Sequence, residues 1–431
     1  MASQDVVVVG GGLSGLMAAA LLAKDGTRVR LVESSASLGG MARTRREHGY
    51  AFNLGAHAMF SGGHVGRVLK RLGIQLRAGV VAPATGRVVH DDRIFPLPTG
   101  PLALLASDLF DRRGKRELLA FLARPPKASD ATLVGRTLED FLDQRFSSER
   151  AKAFLKMFAR LTTLAHGPST TSAAVAIEQM VMVTRAKTLY LHGGWQSLVD
   201  DLRQAASRHG VVLETSERAA ALRNRDGCVS GVELEAGRTL AADAVILAVP
   251  PRSALQIAPD VPELRAAADA SLPVRMACLD VGLSDLPRPD LTYALGLGEP
   301  LYYSVHSRYA ELAPRGSALV HVMRYLAPGE APDDASRAME QFLDFLQPGW
   351  PQRVEARQDL PEITVSSWWP RPDVSRPSSL VESVSGLYLA GEWVGPDGLL
   401  AHASAASATA AAGLAASHAN GHPRRYGRVT T

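Results

Sequence analysis

The stretch DVVVVGGGLSGLMAAALLAKDGTRVRLVES, residues 5–34, contains the pattern from which the fold can be inferred. Four consecutive valines without polar alternation predict a strand that is buried on both faces, as in a parallel sheet. Gly10, Gly12 and Gly15 follow with the spacing G-x-G-x-x-G, and the alanine- and leucine-rich segment after them predicts a helix. A second apolar strand ends at Glu33. This order of strand, glycine turn, helix, strand and acid predicts a unit that binds a dinucleotide.

Each residue of the glycine turn has its own predicted task. Gly10 allows a tight turn, Gly12 lets the backbone approach a pyrophosphate, and Gly15 lets the helix pack closely on the strand. Ser14 lies in the first helical turn, whose amides would point at the phosphates. Glu33 would accept a ribose hydroxyl. An ordinary strand–helix–strand unit with a glycine turn is the alternative interpretation.

Composition excludes several classes of protein. The 431 residues are 46% hydrophobic and 21% charged, with a formal net charge of +4 and no long run of lysine or arginine, so nucleic-acid binding has no support. Cys228 and Cys278 are too few for a disulfide framework or a zinc site, and we interpret them as two buried apolar thiols with no metal bound. Met1 leads directly into the first strand without a signal-peptide pattern, which predicts a cytoplasmic protein.

No window of the sequence offers a bulky apolar span of about 20 residues. The alanine- and serine-rich stretch at 399–416 predicts a helix packed closely on a buried surface. The segment 101–127, PLALLASDLFDRRGKRELLAFLARPPK, mixes apolar and basic residues and is the candidate for peripheral membrane contact. A solvated amphipathic helix pair is the alternative interpretation of that segment.

The chain divides into segments with the sequence pattern of a nucleotide-binding domain and longer insertions between them. We predict an α/β fold in which a Rossmann-like cofactor domain is assembled from three segments and carries an inserted α+β substrate domain. The three cofactor segments are predicted at 1–85, 191–270 and 379–420. The insertions are predicted at 86–190, mainly helical, and at 271–378, mainly strands that alternate like exposed-face strands, with a tail at 421–431.

A second glycine-containing segment decides between nicotinamide and flavin. Residues 37–59 read SLGGMARTRREHGYAFNLGAHAM, in which Gly39 and Gly40 precede Arg43. A second backbone approach and a cation suit the far side of a long, extended dinucleotide, whereas a plain NAD-dependent dehydrogenase does not need them.

At this point the chain resembles the FAD-dependent oxidoreductases of the amine oxidase, protoporphyrinogen oxidase and phytoene desaturase superfamily. The shared features are the opening glycine turn with its glutamate, the glycine pair, LHGGWQSLVDDLRQAASRHGVVLET at 191–215, AVILAVPP at 244–251 and GLYLAGEW at 386–393. In character the chain is closest to the phytoene desaturase-like members. The resemblance implies bound FAD and a small apolar substrate.

The resemblance also implies where FAD makes its contacts. Besides the glycines and the glutamate named above, it assigns Gly40 and Arg43 to the phosphates and ribityl chain, backbone at Ala219 to the adenine, Gly391 and Glu392 to the ribityl and pyrophosphate region, and the helix beginning near Leu400 to the flavin carbonyl between N1 and N3. Many relatives have an arginine directly after the glycine pair, whereas this chain has Met41 at that position.

Amine oxidases of this superfamily carry a lysine near flavin N5 and an aromatic residue after the last glycine. The comparable strand, LPVRMACLDVGL at 272–283, has Arg275 and Met276 but no lysine, and Leu399 follows Gly398. These differences weigh against amine oxidation. They favour removal of hydride and proton from a largely apolar molecule through flavin N5, as in a desaturase or a dehydrogenating oxidase.

Candidates for catalysis are His57, in GAHAM, His402, on the helix that would face the flavin, and Leu399, which would line the substrate face. His166, His306, Tyr302 and Tyr303 are further acid–base candidates. A flavin-dependent isomerase or mutase without net redox change, an amine oxidase-type enzyme and a non-catalytic FAD-binding scaffold remain alternatives. The electron acceptor, oxygen or a quinone, leaves no motif.

Overall fold

The glycine turn follows the central strand of a five-stranded parallel sheet in this computed structural model, which describes residues 5–55, 57–81 and 86–419. In spatial order the strands are β10 (Val212–Glu214), β2 (Arg28–Val32), β1 (Asp5–Val9), β14 (Ala244–Leu247) and β20 (Leu387–Leu389). Val7 pairs with Arg30 on one side and with Val245 on the other. The strands come from three distant parts of the chain, which confirms the predicted assembly of the Rossmann-like sheet from three segments.

Helices cover one face of this sheet. They are α1 (Leu13–Lys24), α2 (Gly63–Leu72), α8 (Gln196–Arg208) and α12 (Leu400–Ala419). Helix α12 contains the alanine- and serine-rich stretch, and Ala405 and Ala408 share one buried cluster with Ala18 and Ala19 of α1. Because these side chains are small, the two helix backbones approach each other closely.

A second layer covers the opposite face. It contains the antiparallel strands β11 (Ala219–Arg225), β12 (Cys228–Leu234) and β13 (Thr239–Ala241), and the helices α9 (Pro251–Ile257) and α10 (Pro262–Ala270). Asp226 and Gly227 join β11 to β12 with positive φ angles of 51° and 76°. The sequence RDG therefore forms the tight hairpin turn that it predicts.

A seven-stranded sheet forms the second large layer. In spatial order its strands are β19 (Val354–Ser366), β15 (Val274–Leu283), β18 (Ala318–Leu326), β17 (Leu301–Val305), β16 (Tyr293–Gly296), β7 (Arg87–His90) and β8 (Arg93–Pro96). Neighbouring strands are antiparallel except for β16 and β7, which are parallel. The segment 86–190 therefore adds a hairpin to this sheet in addition to its helices.

Both faces of the seven-stranded sheet are covered. Helix α11 (Ala335–Leu346) packs on one face. The other carries α3 (Pro101–Ala106), α4 (Arg112–Ala123), α5 (Leu138–Arg145), α6 (Glu149–Thr163) and α7 (Ala173–Arg185). The expectation of exposed-face alternation is wrong for β15 and β18, which are buried along almost their whole length. A central strand with cover on both faces has no solvent side.

Two small sheets complete the described elements. Strands β3 (Thr44–Glu47) and β4 (Tyr50–Asn53) form a hairpin, and β5 (Met59–Phe60), β9 (Thr188–Leu191) and β6 (Ala78–Val80) form an antiparallel trio. The exact domain bounds stay predictions, and the tail at 421–431 lies outside the described residues. The interpretation of two buried thiols is wrong for Cys228, which is exposed at the start of β12, while Cys278 is buried on β15.

Candidate active site

The glycine turn leaves an open space in front of helix α1. A Cβ atom placed on Gly12 would have no neighbouring heavy atom within 4 Å. Gly12 is also the N-cap of α1, whose first turn holds no acidic residue and no capping side chain. The first amides of a helix need acceptors from outside the helix. An anionic diphosphate fits this space and these donors.

Gly10 and Gly15 are needed for packing rather than for open space. Gly10 has a φ of +107°, which favours glycine, and a Cβ there would press against the backbone of Ala248. A Cβ on Gly15 would overlap the carbonyl oxygen of Gly10. The turn and the first helical turn are therefore in direct backbone contact. Ser14 is buried beside them.

The glycine pair lies directly against the first glycine turn. The amide of Gly39 donates to the carbonyl of Gly11 over 2.8 Å, and a Cβ on Gly40 would lie 3.4 Å from Cα of Gly12. Arg43 folds back over the pair, because its Nε donates to the carbonyl of Gly40 over 3.0 Å. Met41 is exposed. The two glycine segments thus line the same space.

Glu33 is oriented at the end of β2 by backbone amides. Its Oε2 accepts from the amide of Gly11 over 2.7 Å, and its Oε1 accepts from the amide of Ser35 over 2.7 Å. The carbonyl of Glu33 also accepts from the amide of Glu217, two residues before Ala219. The structure therefore brings the predicted ribose acid and the predicted adenine strand together.

The closing segment GLYLAGEW joins the cofactor side to the seven-stranded sheet. Gly391 donates its amide to Oγ of Ser407 on α12 over 2.9 Å. Oε1 of Glu392 accepts from the amide of Ser367 over 2.6 Å, just beyond the end of β19. Burial raises the pKa of Glu392, and hydrogen bonds from Ser367 oppose the rise.

Arg376 holds this closing segment in place, and the sequence analysis missed it. Its Nη1 donates to the carbonyl of Glu392 over 3.0 Å, and its Nη2 donates to the carbonyl of Gly398 over 2.7 Å. Burial lowers the pKa of the Arg376 guanidinium, while Glu392 and Asp397 oppose that shift. Arg376 precedes the final strand in an irregular segment, so no local pattern marks it.

The start of α12 is backbone-strained. Leu400 has a φ of 52°, which is uncommon for a residue other than glycine and marks a strained position. The carbonyl of Leu399 accepts the amides of His402 and Ala403, so Leu399 precedes the first helical turn. The amide of Leu400 thus lies at the positive end of a 20-residue helix.

His402 and His57 lie in different surroundings. The ring of His402 lies against Gly63 at the start of α2, where a Cβ would be 2.6 Å from Cε1. Its Nε2 is buried without a hydrogen-bond partner among the described residues. Burial lowers the pKa of His402, and the nearby His64 lowers it further.

His57 follows the end of β4 and lies beside Trp195. Its Nδ1 donates to the carbonyl of Gly55 over 2.9 Å, which leaves Nε2 as the acceptor nitrogen of a neutral ring. Its ring packs edge-on against Trp195 with centroids 5.0 Å apart. Burial lowers the pKa of His57, and the backbones of Gly55 and Met41 oppose that shift. The hydrogen bond between the ring and the backbone of Met41 places His57 next to the glycine pair.

A buried polar cluster on the seven-stranded sheet lies next to His57. Nδ1 of His321 on β18 is 2.6 Å from Oδ1 of Asp280 on β15, and both side chains are fully buried. Nε2 of Gln358 on β19 donates to Oδ2 of Asp280 over 2.9 Å and to the carbonyl of Asn53 over 2.7 Å. The cluster thus connects the sheet to the strand that precedes His57.

The same cluster continues through His306. Its ring lies 4.1 Å from that of His321 and stacks on Tyr190 at 3.8 Å, measured between centroids. The hydroxyl of Tyr302 is 3.3 Å from Nε2 of His306. Nδ1 of His306 and Nε2 of His321 are buried without a hydrogen-bond partner among the described residues. Burial and the neighbouring His321 lower the pKa of His306 well below its usual value.

The sequence analysis named His306 and Tyr302 but missed Asp280, His321 and Gln358. Their strands are far apart in sequence, and only the strand order brings them together. Tyr303 points elsewhere, since its hydroxyl bonds to Gln347 and to the carbonyl of Leu291. His166 belongs to a separate cavity beside Arg160.

Among the described residues no group of three or more His, Cys, Asp or Glu side chains could hold a metal ion.

The glycine segments, the acid and the closing segment match an FAD-binding fold with an attached substrate-side sheet. The sequence profile described as "Flavin containing amine oxidoreductase" matches residues 13–415. The chain therefore belongs to the flavin-containing amine oxidoreductase family. Its class is that of the FAD-dependent oxidoreductases, and its cofactor is FAD.

Two curated relatives act on different molecules. The chain is 28% identical over 296 residues to coproporphyrinogen III oxidase of Mycobacterium tuberculosis, which covers 62% of this chain and 64% of the relative. It is 22% identical over 282 residues to 4,4'-diaponeurosporene oxygenase of Staphylococcus aureus, covering 57% of this chain and 55% of that relative. The matched part thus spans less than two thirds of either relative.

Solved structures share the fold over nearly the whole chain. An oxidoreductase from Methanosarcina mazei superposes with a TM-score of 0.77 at 18% identity, covering 94% of this chain and 99% of that structure. Reduced UDP-galactopyranose mutase superposes with a TM-score of 0.70 at 17% identity, covering 98% of each chain. At this identity the likeness describes the fold, which hosts more than one reaction.

Proposed function

We propose that the chain is an FAD-dependent oxidase or desaturase that removes a hydride and a proton from a largely apolar small molecule. The observation that carries this proposal is the buried polar cluster on the seven-stranded sheet. None of the seven strands contains a lysine. Asp280, His321 and His306 lie close to His57.

The proposed reaction needs one acceptor for hydride and one for a proton. FAD, when bound, supplies the hydride acceptor. We assign the proton to Nε2 of His57, because the bond from Nδ1 to Gly55 fixes the tautomer and burial keeps the ring neutral. Trp195 limits the rotation of the ring. Leu399 would exclude water at the start of α12, and His402 would support that helix from the side of α2.

The FAD contacts form part of the proposal. Gly10, Gly12, Ser14 and Gly15 would surround the pyrophosphate together with Gly40 and Arg43. Glu33 would accept the ribose hydroxyls, and backbone at Ala219 would border the adenine. Gly391, Glu392 and the amide of Leu400 would meet the flavin half. The open space at Gly12 and the contact between the two glycine segments support these assignments.

The substrate is proposed from the relatives' names. A porphyrinogen, as in the name of the mycobacterial relative, and a polyene, as in that of the staphylococcal relative, are the two classes to test first. Both are large molecules with an extended apolar framework, and a porphyrinogen also carries acidic side arms. The acceptor that reoxidises the enzyme is oxygen or a quinone.

Anaerobic flavin reduction tests the proposal. The purified holoprotein is mixed with coproporphyrinogen III, with a carotenoid precursor and with simple amines, and flavin absorbance is followed near 450 nm. We expect rapid bleaching with a porphyrinogen or a polyene and none with amines. Bleaching by amines alone would contradict the proposal.

The mutase alternative predicts a different stoichiometry. The alternative is tested because UDP-galactopyranose mutase has the same fold. An isomerase needs no net electron acceptor during turnover, whereas the proposed enzyme consumes one acceptor for each double bond formed. Turnover without consumption of oxygen or quinone would favour the isomerase.

We also propose peripheral membrane contact through α3 and α4. Leu102 is 82% exposed and Leu105 is 52% exposed on α3, and the pair of helices carries exposed arginines. Exposed leucines next to basic residues suit an anionic lipid surface. None of the helices within the described ranges is both long and apolar enough to cross a bilayer.

A further inference from the structure

A cavity of about 200 Å³ lies where the helices of the 86–190 segment meet one end of the seven-stranded sheet. Its apolar lining includes Ala153 and Ala159 of α6 and Leu297, which follows β16. Its polar lining includes Lys156, Arg160 and His166, and Lys156 is paired with Glu139. The cavity is separate from the FAD space described above, and none of the assigned cofactor contacts lies in it.

Arg160 is a buried cation without a carboxylate partner. It is 5% exposed, and its Nη2 donates to the carbonyls of Gly296 and Glu299 over 2.9 and 3.0 Å. Its guanidinium carbon lies 5.6 Å from the centre of the Tyr325 ring. No carboxylate of the described residues lies within 4 Å of its guanidinium nitrogens. Burying an arginine without an anion is unfavourable.

Two nearby carboxylates are already engaged. Glu139 pairs with Lys156 over 2.8 Å, and Glu330 pairs with Arg324 over 2.8 Å. His166 adds no positive charge at neutral pH, because burial, followed by the charge of Arg160, lowers its pKa to about 4. Burial lowers the pKa of Arg160 and the charge of Glu299 raises it from a distance, but no described carboxylate forms an ion pair with it, so the guanidinium is left for a ligand that enters the cavity.

One wall of the cavity connects to the closing FAD segment. Thr171, in that wall, accepts a hydrogen bond at Oγ1 from Nε1 of Trp369 over 3.2 Å. A Cβ on Gly167 would lie 2.9 Å from the same indole. Two residues before Trp369, the amide of Ser367 donates to Glu392. A molecule in the cavity is thus separated from the Glu392 segment by Trp369 and the short irregular segment that follows β19.

We propose that this cavity binds a carboxylate carried on an apolar stem, with Arg160 as the anion-binding residue. Arginine presents a planar set of donors that fits a carboxylate, and the alanines and Leu297 suit a short hydrocarbon stem. The volume admits an arm of a molecule rather than a whole tetrapyrrole. The assignment of that arm to the oxidised substrate rests on the proposed function. It would favour a substrate with acidic side arms, such as a porphyrinogen, over a hydrocarbon polyene.

Binding of hexanoate tests the site without any flavin chemistry. Dissociation constants of hexanoate and of hexan-1-ol, which have the same stem, are measured on the holoprotein by ligand-observed NMR. We expect the wild type to bind hexanoate at least tenfold more tightly than the alcohol. Arg160→Met should remove that preference. Arg150→Met is the matched control, because Arg150 is an exposed arginine near the start of the same helix.

A second variant keeps the test sharp if Arg160→Met does not fold. Ala153→Leu fills the cavity from a half-buried position on α6 and leaves Arg160 in place, so it should abolish hexanoate binding. Equal affinity of the wild type for hexanoate and hexan-1-ol, or unchanged hexanoate binding in Ala153→Leu, overturns the carboxylate site. These outcomes are independent of whether any substrate bleaches the flavin.

The link to the substrate is tested by flavin reduction. The concentration that gives half-maximal flavin bleaching is measured under anaerobic conditions for coproporphyrinogen III and for its tetramethyl ester. Both compounds are tested with the wild type and with Arg160→Lys. We expect the ester to require at least tenfold higher concentration for half-maximal bleaching of the wild type. If hexanoate binds as expected and neither porphyrinogen bleaches the flavin, the site stands and its assignment to a porphyrinogen arm is rejected. If both bleach the flavin equally well, the arm does not occupy this cavity.

Discussion

Gly12 faces open space, and this makes it a sharp test of the FAD site at the scale of one residue. A Cβ at Gly12 has no protein atom within 4 Å, so we expect Gly12→Val to keep the fold while it fills the space needed by the pyrophosphate. We expect FAD occupancy below a tenth of the wild-type value, read from the ratio of absorbance at 450 and 280 nm. Gly66→Ala is the control, since Gly66 of α2 also has an open Cβ position but lies outside the glycine turn. A fully yellow Gly12→Val would exclude this loop.

His57 is the second residue-scale test. His57→Asn retains a donor to Gly55 and removes the acceptor nitrogen, so flavin should stay bound while its reduction by substrate slows by roughly 100-fold to 10,000-fold. His57→Gln, with its amide nearer the Nε2 position, is the comparison. If reduction by substrate is as fast in His57→Asn as in the wild type, another group takes the proton.

The pH profile follows from the lowered pKa of His57. A neutral base remains available until the pH falls below its folded pKa. The rate of flavin reduction should therefore stay constant from pH 8 down through 6.5, the ordinary value for histidine, and decline only in more acidic solution. A rate that already declines between pH 8 and 7 would contradict a half-buried histidine that stays neutral.

The sequence predicts the residues that act through local spacing. Gly10, Gly12 and Glu33 belong to one strand–helix–strand unit, so their arrangement follows from periodicity and from the turn they form. Asp280, His321 and Arg376 could not be predicted in this way. Asp280 and His321 meet only because β15 and β18 pair, and Arg376 contacts two carbonyls from an irregular segment. Such contacts depend on strand order and on the path of long connections.

At the scale of elements, the alanine-rich composition of α12 allows this helix to pack closely on α1. Ala408 is fully buried against α1, and Ala410, two residues along, is exposed. Ala408→Leu should lower the free energy of unfolding by about 1–3 kcal/mol through overpacking. Ala410→Leu should change it by less than about 0.5 kcal/mol. Urea unfolding of the two variants makes the comparison, and equal stability would show that α1 and α12 are not closely packed.

The seven-stranded sheet shows that the sequence of a strand does not determine whether both of its faces are covered. The alternating pattern in β15 and β18 predicts one solvent-exposed face, yet helices of two separate segments cover both faces of the sheet. The sequence of a strand contains no information about which distant helix will cover it. For the same reason Cys228 could not be distinguished from Cys278, because exposure depends on whether another element packs over the strand.

At the scale of the whole molecule, the helix pair α3 and α4 is the surface to test for lipid contact. The doubly substituted variant Leu102→Ser and Leu105→Ser removes two exposed apolar side chains. Its co-sedimentation with vesicles of anionic phospholipid should fall at least fivefold relative to the wild type. The control is Leu380→Ser, at an exposed leucine far from these helices in the chain. Equal binding of wild type and double variant to the vesicles would reject this surface.

The sheet that contains β1, β14 and β20 has a consequence for how the protein is made. Strand β20 and helix α12 are encoded some 380 residues after β1, so the layer beside α1 stays incomplete until almost all of residues 5–419 have left the ribosome. Contacts between such distant segments close slowly, because long loops must be ordered first. During that interval the alanine face of α1 and the free edge of β14 are exposed to other chains. Cells that synthesise this protein would have to protect the growing polypeptide until its last helix arrives.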